Sequence, residues 1–191
     1  MSPARSKKGN GIWYLLIGLL VVLAIGGLNG TTRPATSAPP PSGAAGGTGT
    51  QVAGNDVVRR LEQMGLRARV RDSAVDRDCA GNSYGQAQAW FRTHPCTDVT
   101  RHLIDVSDAR GNTALVAVAG VRMPDTGSAA ELKSLVDRGG TGNVKELAGT
   151  WRDGMPYGSR RSGAVFVNAQ AQSTGARAPA DLDAIAKAAS G

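Results

Sequence analysis

The sequence predicts an α+β domain of β-α-β-β-α-β order with an extra helix at each end, preceded by one transmembrane helix and a disordered linker. Three observations predict it. A long apolar run, Ile12 to Leu28, lies near the start and carries no charge. The stretch after it has almost no bulky apolar side chain, so it cannot bury enough surface to fold. The remainder, 55–191, switches repeatedly between helical and strand periodicity and has the length of one compact domain.

The apolar run, IWYLLIGLLVVLAIGGL, falls at the short end of the roughly 17 to 25 residues a bilayer span requires. Trp13 and Tyr14 stand at its start, where aromatic rings favour the membrane interface. Arg5, Lys7 and Lys8 flank that side, against Arg33 alone on the other. The positive-inside rule then makes 1–11 a basic cytoplasmic tail, 12–28 a single-pass signal-anchor, and everything beyond it extracytoplasmic. A cleaved signal peptide is the competing reading. A small-x-small cleavage pattern is poor just after the run, and Pro39 to Pro41 disfavour cleavage after Ala38. Residues 29–54, rich in Pro, Gly, Ser, Thr and Ala, read as a tether that is extended in its proline part and flexible in its glycine part.

The net charge of +7 does not indicate a nucleic-acid partner. Four of the 22 basic residues (Arg5, Lys7, Lys8 and Arg33) precede position 55, which leaves 18 against all 15 acids. The excess therefore serves membrane orientation, and the domain is only mildly basic. No basic run with interleaved aromatic rings occurs.

Along the domain, NDVVRRLEQMG predicts a helix capped by Asn55 and stopped by Gly65, with Val57, Val58, Leu61 and Met64 on one face. LRARVR, 66–71, alternates apolar and arginine, the period of a half-buried strand. Asn82 or Ser83 can cap a second helix that ends before Pro95. TDVTRHLIDV predicts a strand, SDARGN a turn, and the nearly continuous apolar TALVAVAGV a central strand covered on both faces. Ser128 and Glu131 have capping-box spacing at the head of a third helix that ends at Gly139. NVKEL has the same spacing and predicts a further helical turn. GAVFVNAQAQ predicts a strand with Val165, Val167 and Ala169 inward, and PADLDAIAKAA a last helix. The middle six elements correspond to a ferredoxin-like sheet, with the first and third strands central and the helices on one face.

The segment RDCAGNSYGQAQAWFRTHPCTD, 77–98, holds both cysteines and a large share of the aromatic rings. In an extracytoplasmic domain Cys79 and Cys96 are expected to form a disulfide across one helix, contributing roughly 3 kcal/mol through chain entropy. A zinc set of Cys79, His94, Cys96 and His102 lacks the usual ligand spacing, so no metal site is expected. A thiol nucleophile, Cys96 with His94 or His102, would need a free thiolate. His102 alternates with Ile104 and Val106 and is expected to face the core as a hydrogen-bonded structural histidine. Asp98 and Asp105 are near it in sequence, but no hydrolase motif accompanies them. Gly139-Gly-Thr-Gly142 lacks the lysine of a phosphate loop and does not follow a strand, so it reads as a helix exit. No cofactor is expected.

The best candidate binding surface is the stripe Arg67, Arg69, Arg71, since guanidinium groups pair well with carboxylates and phosphates. Phe166, Asn168, Gln170 and Gln172 fall on the outer face of the last strand, where they are expected to neighbour the arginines and suit a sugar or peptide. Arg160 and Arg161 could extend the patch. The function that follows is a membrane-anchored binding or sensor module of the cell envelope, not an enzyme, with an envelope protein or cell-wall glycan as partner. The alternatives are an envelope hydrolase or thiol enzyme using His94, His102 or Cys96, and a structural partner of another membrane protein.

The anchor, the Ala/Gly/Pro/Thr tether and the preference for Arg over Lys resemble exported proteins of high-GC actinobacteria. The stretch from HPCTDVTRHLIDV through VNAQAQ is similar to single-pass membrane proteins of that group with an extracytoplasmic domain. This resemblance covers most of the domain and implies no activity and no site residue. In architecture alone, the chain resembles SPOR domains, which stand on a membrane helix and linker and bind cell-wall glycan on a ferredoxin-like sheet; that likeness does not by itself imply function.

Overall fold

The computed structural model describes residues 52–148, 154–179 and 181–191. The tail, span and nearly all of the linker read from the sequence lie outside these residues. Among the described residues no helix is long and apolar enough to cross a membrane.

Nine elements follow in order: α1 (Gly54–Gln63), β1 (Arg67–Asp76), α2 (Gly85–Phe91), β2 (Asp98–Ser107), β3 (Thr113–Arg122), α3 (Thr126–Val136), β4 (Tyr157–Ser162), β5 (Val165–Ser173) and α4 (Leu182–Ser190). The strands form one sheet of order β1-β2-β3-β5-β4, antiparallel throughout. The α+β class therefore holds, but the ferredoxin-like order does not. That order requires β1 to pair with the third strand, and β1 instead pairs with β2 at the sheet edge. A crossover helix that carried the chain back along ten-residue strands would cover about 33 Å at 3.3 Å per residue. The seven residues of α2 span only about 10 Å. The chain turns beside β1 and returns antiparallel.

β4, YGSRRS, is a strand that hydrophobic patterning does not reveal. It is polar and glycine-bearing, and it forms by pairing with β5 across the turn at Gly163, whose φ is +56°. β3 is central and covered on both faces, as its composition predicts. Ala114, Val116 and Val118 meet Val57 and Leu61 of α1 and Ile185, Ala186 and Ala189 of α4. Ala119 and Val121 face the other way, toward Ala87 and Phe91 of α2, Ala129, Leu132 and Val136 of α3, and the fully buried Phe166. The two extra helices thus close the second sheet face. Arg60 of α1 ties them together, donating to the carbonyls of Ala188 and Ala189 at 2.9 Å each, where α4 leaves acceptors without partners.

Several helix starts differ from the sequence expectation. α1 begins at Gly54 with no side-chain cap, so Asn55 lies inside the helix. α3 is capped by Asp125, one turn before the expected Ser128, and Asp125 accepts from the Ser128 amide at 2.8 Å. α2 begins after Tyr84, and a distant carbonyl serves as its cap. Thr141 O accepts from the amides of Gln86 and Ala87 at 2.7 and 3.2 Å. This latch needs two glycines, Gly85 and Gly142. Gly142 has φ +88°, and a Cβ there would lie 2.1 Å from Tyr84 O. NVKEL forms no helix. Val144 bridges to Ser83 and the Lys145 amide donates to Asn82 O at 2.8 Å, strapping the chain across the same loop.

Candidate functional site

β1 is longer than its sequence pattern and carries a bulge. Its register with β2 runs Arg67↔Ser107, Arg69↔Asp105 and Val70↔Ile104, then resumes at Asp72↔Leu103, leaving Arg71 as the extra residue. The bulge lets Arg69 and Arg71 reach the same carboxylate: both form ion pairs with Asp105. Arg67 has no ion pair or hydrogen bond among the described residues. Next to it, Thr174 Oγ1 donates to Thr113 Oγ1 at 2.8 Å. Together Arg67, Arg69, Arg71, Asp105, Ser107, Thr113 and Thr174 line an open groove of about 390 Å³. Three guanidinium groups face one carboxylate there, so the groove is cationic and supplied with hydroxyls. A second groove, about 630 Å³, continues at Leu66 and Asn112 and adds Arg110 and Arg177. One end of the domain therefore gathers five arginines.

The other half of the expected surface does not join them. Phe166, Asn168, Gln170 and Gln172 share the sheet face of Arg69, but β2 and β3 intervene, placing them about 14 Å away at the usual strand spacing. Phe166 is core, and Asn168 is buried, donating to Asn143 Oδ1. Gln170 lines separate clefts with Asn143. Arg160 and Arg161 sit on β4, at the opposite sheet edge from β1. The order β1-β2-β3-β5-β4 is the cause, because in the ferredoxin-like arrangement the last strand would lie beside the first.

Cys79 and Cys96 form the expected disulfide, with Cα atoms 6.2 Å apart. Both sulfurs are thereby removed from any thiolate or zinc-ligand role. His94 stacks on Trp90 with ring centroids 4.4 Å apart and planes within 2°. It lies at the helix exit, before Pro95, with Nδ1 within hydrogen-bond distance of Thr93 Oγ1 at 2.9 Å and Trp90 O at 3.1 Å. His102 is buried on the α1 side of β2 and hydrogen-bonded through both ring nitrogens, to Ser73 Oγ at 2.7 Å and Val52 O at 2.8 Å.

A second polar cluster, which the sequence reading misses, joins α3 to β4. Asp137 accepts from Tyr157 Oη at 2.9 Å, Ser159 Oγ at 2.7 Å and Lys133 Nζ. Burial pushes the Asp137 carboxyl up, but the three donors outweigh it and hold the group below the ordinary carboxylate range. Tyr157 is pushed well above the usual phenol value, first by burial and then by the Asp137 carboxylate. Glu146 is raised by burial. The residues missed at the arginine groove, Asp105, Ser107, Thr113 and Thr174, were legible only through strand register. No protein-family model, curated protein or solved structure matches the chain.

Proposed function

We propose that the protein is a binding module of the cell envelope, tethered by its N-terminal apolar span, and that it takes an anionic ligand in the β1 groove. The observation that carries this reading is the groove itself: three arginines and three hydroxyl side chains around a single carboxylate, open to solvent. Guanidinium groups hold phosphate and carboxylate oxygens through paired N–H donors. A phosphate- or carboxylate-bearing wall glycan, or an acidic segment of an envelope protein, has that chemistry. The apolar run at 12–28 and the tether after it support the location. The reading requires binding and no turnover.

The test is sedimentation of the full chain with isolated cell wall, repeated with the Arg67→Ala/Arg69→Ala/Arg71→Ala variant. Binding that weakens at least about tenfold in the variant, and falls steeply with added salt, supports the groove. Binding indifferent to the three changes sinks it.

A further inference from the structure

The bulge at Arg71 does more than bring two arginines to Asp105. If strand alternation ran on unbroken from Val70, Ser73 would stand opposite Arg101 and Asp72 opposite His102. With Arg71 as an extra residue, Ser73 is instead directly opposite His102, on the sheet face that carries α1. Ser73 Oγ lies 2.7 Å from His102 Nδ1, and His102 Nε2 lies 2.8 Å from Val52 O. A carbonyl oxygen only accepts, so Nε2 carries the proton. The neutral ring then presents a bare lone pair at Nδ1, and the serine hydroxyl donates to it.

The ring is held in that orientation. His102 is buried, while Ser73 is exposed on the edge strand. Gly54 packs against the imidazole so closely that a Cβ there would stand 3.1 Å from Nδ1. α1 starts at Gly54, so the positive end of a ten-residue helix lies beside the pair.

We propose that Ser73 is a nucleophilic hydroxyl with His102 as its general base, able to accept an acyl group from an activated ester that reaches the open edge of the sheet. Ser73 Oγ bonds to the ester carbonyl carbon while its proton passes to His102 Nδ1. The carbon–oxygen bond to the alcohol then breaks, and the departing alkoxide takes that proton and leaves as alcohol. The product is an O-acyl serine, with no oxidant or further reactant consumed. Val52 O keeps the imidazole in the tautomer this requires. Ser73 and His102 lie on the sheet face opposite Arg69 and Asp105, so this inference is independent of the arginine groove.

The experiment treats the full chain with a fluorophosphonate and, separately, with p-nitrophenyl acetate, and locates adducts by peptide mass mapping. The expected result is a single adduct on Ser73, absent in Ser73→Ala and formed on the order of 100-fold more slowly in His102→Gln. The glutamine amide can still donate to Val52 O. Ser162, exposed on β4, is an internal control that guards against a folding defect in the histidine variant. In the unmodified chain Ser73 must react about 100-fold faster than Ser162. Equal rates at the two serines, no label on Ser73, or equal labelling in a folded His102→Gln overturns the proposal.

Discussion

The α2 end and the β1 edge of this domain use their chemistry in opposite ways. Around α2 stand both cysteines, three aromatic rings and one of the two histidines, the residue types from which active sites are commonly built. All of them are engaged: the cysteines with each other, His94 on Trp90, Phe91 in the core. Along β1 the side chains are ordinary arginines, aspartates and serine. There two of three guanidinium groups share one carboxylate, and a hydroxyl rests on a histidine. The scarce residues fasten the fold, and the common ones are left facing solvent.

Breaking the fastened end should have the largest effect. A Cys79→Ser/Cys96→Ser chain should lose roughly 2 to 5 kcal/mol of stability, read as a lower urea midpoint. The same double change should leave ligand binding by the folded fraction intact; loss of binding at equal foldedness would overturn the contrast. Gly142→Ala comes next. Its Cβ meets Tyr84 O and its φ is left-handed, so a loss of about 2 kcal/mol in thermal unfolding is expected.

At the β1 edge the effects should appear in affinity and not in stability. Arg67→Ala removes a cation with no partner among the described residues, and anion binding should weaken about tenfold with little change in Tm. Asp105→Asn should act in the other direction, freeing Arg69 and Arg71 and tightening anion binding in a calorimetric titration. A shared loss of binding in both variants would mean that Asp105 positions the arginines and does not compete with the ligand. The smallest effect concerns Asp137. Its folded pKa is lowered, so its contribution to stability is present above the unfolded value and lost as pH falls through the folded one. Asp137→Asn should flatten the acid limb of stability against pH, and an unchanged limb would remove this assignment.

Element identity was largely legible because β3 is almost continuously apolar and the helices carry helical periodicity, and the disulfide followed from an extracytoplasmic reading of two cysteines. Strand order was not legible. The shortness of α2, which goes with the observed order, becomes visible only once Thr141 O is seen to start that helix at Gly85. β4 was hidden because its pairing, not its hydrophobicity, makes it a strand. The pattern of β1 ended at Arg71 because the bulge there breaks alternation, and the same break concealed Ser73 behind an apparent change of face. Of the candidate site, the three arginines were readable from period two. Their carboxylate partner depended on a register set by the other strand.

The bulge has a further consequence for coexistence with neighbouring copies. β1 is a ten-residue strand at a sheet margin, and a flat margin of that length offers its free amides and carbonyls to any other chain. The extra residue interrupts that row, and Arg67, Arg69, Arg71, Asp72 and Asp76 crowd the same strand with charge. A second molecule cannot zip along it without leaving backbone groups unmatched and charges pressed together. The distortion that arranges the β1 side chains is thus also a guard against self-association, which matters most where many copies are held close together.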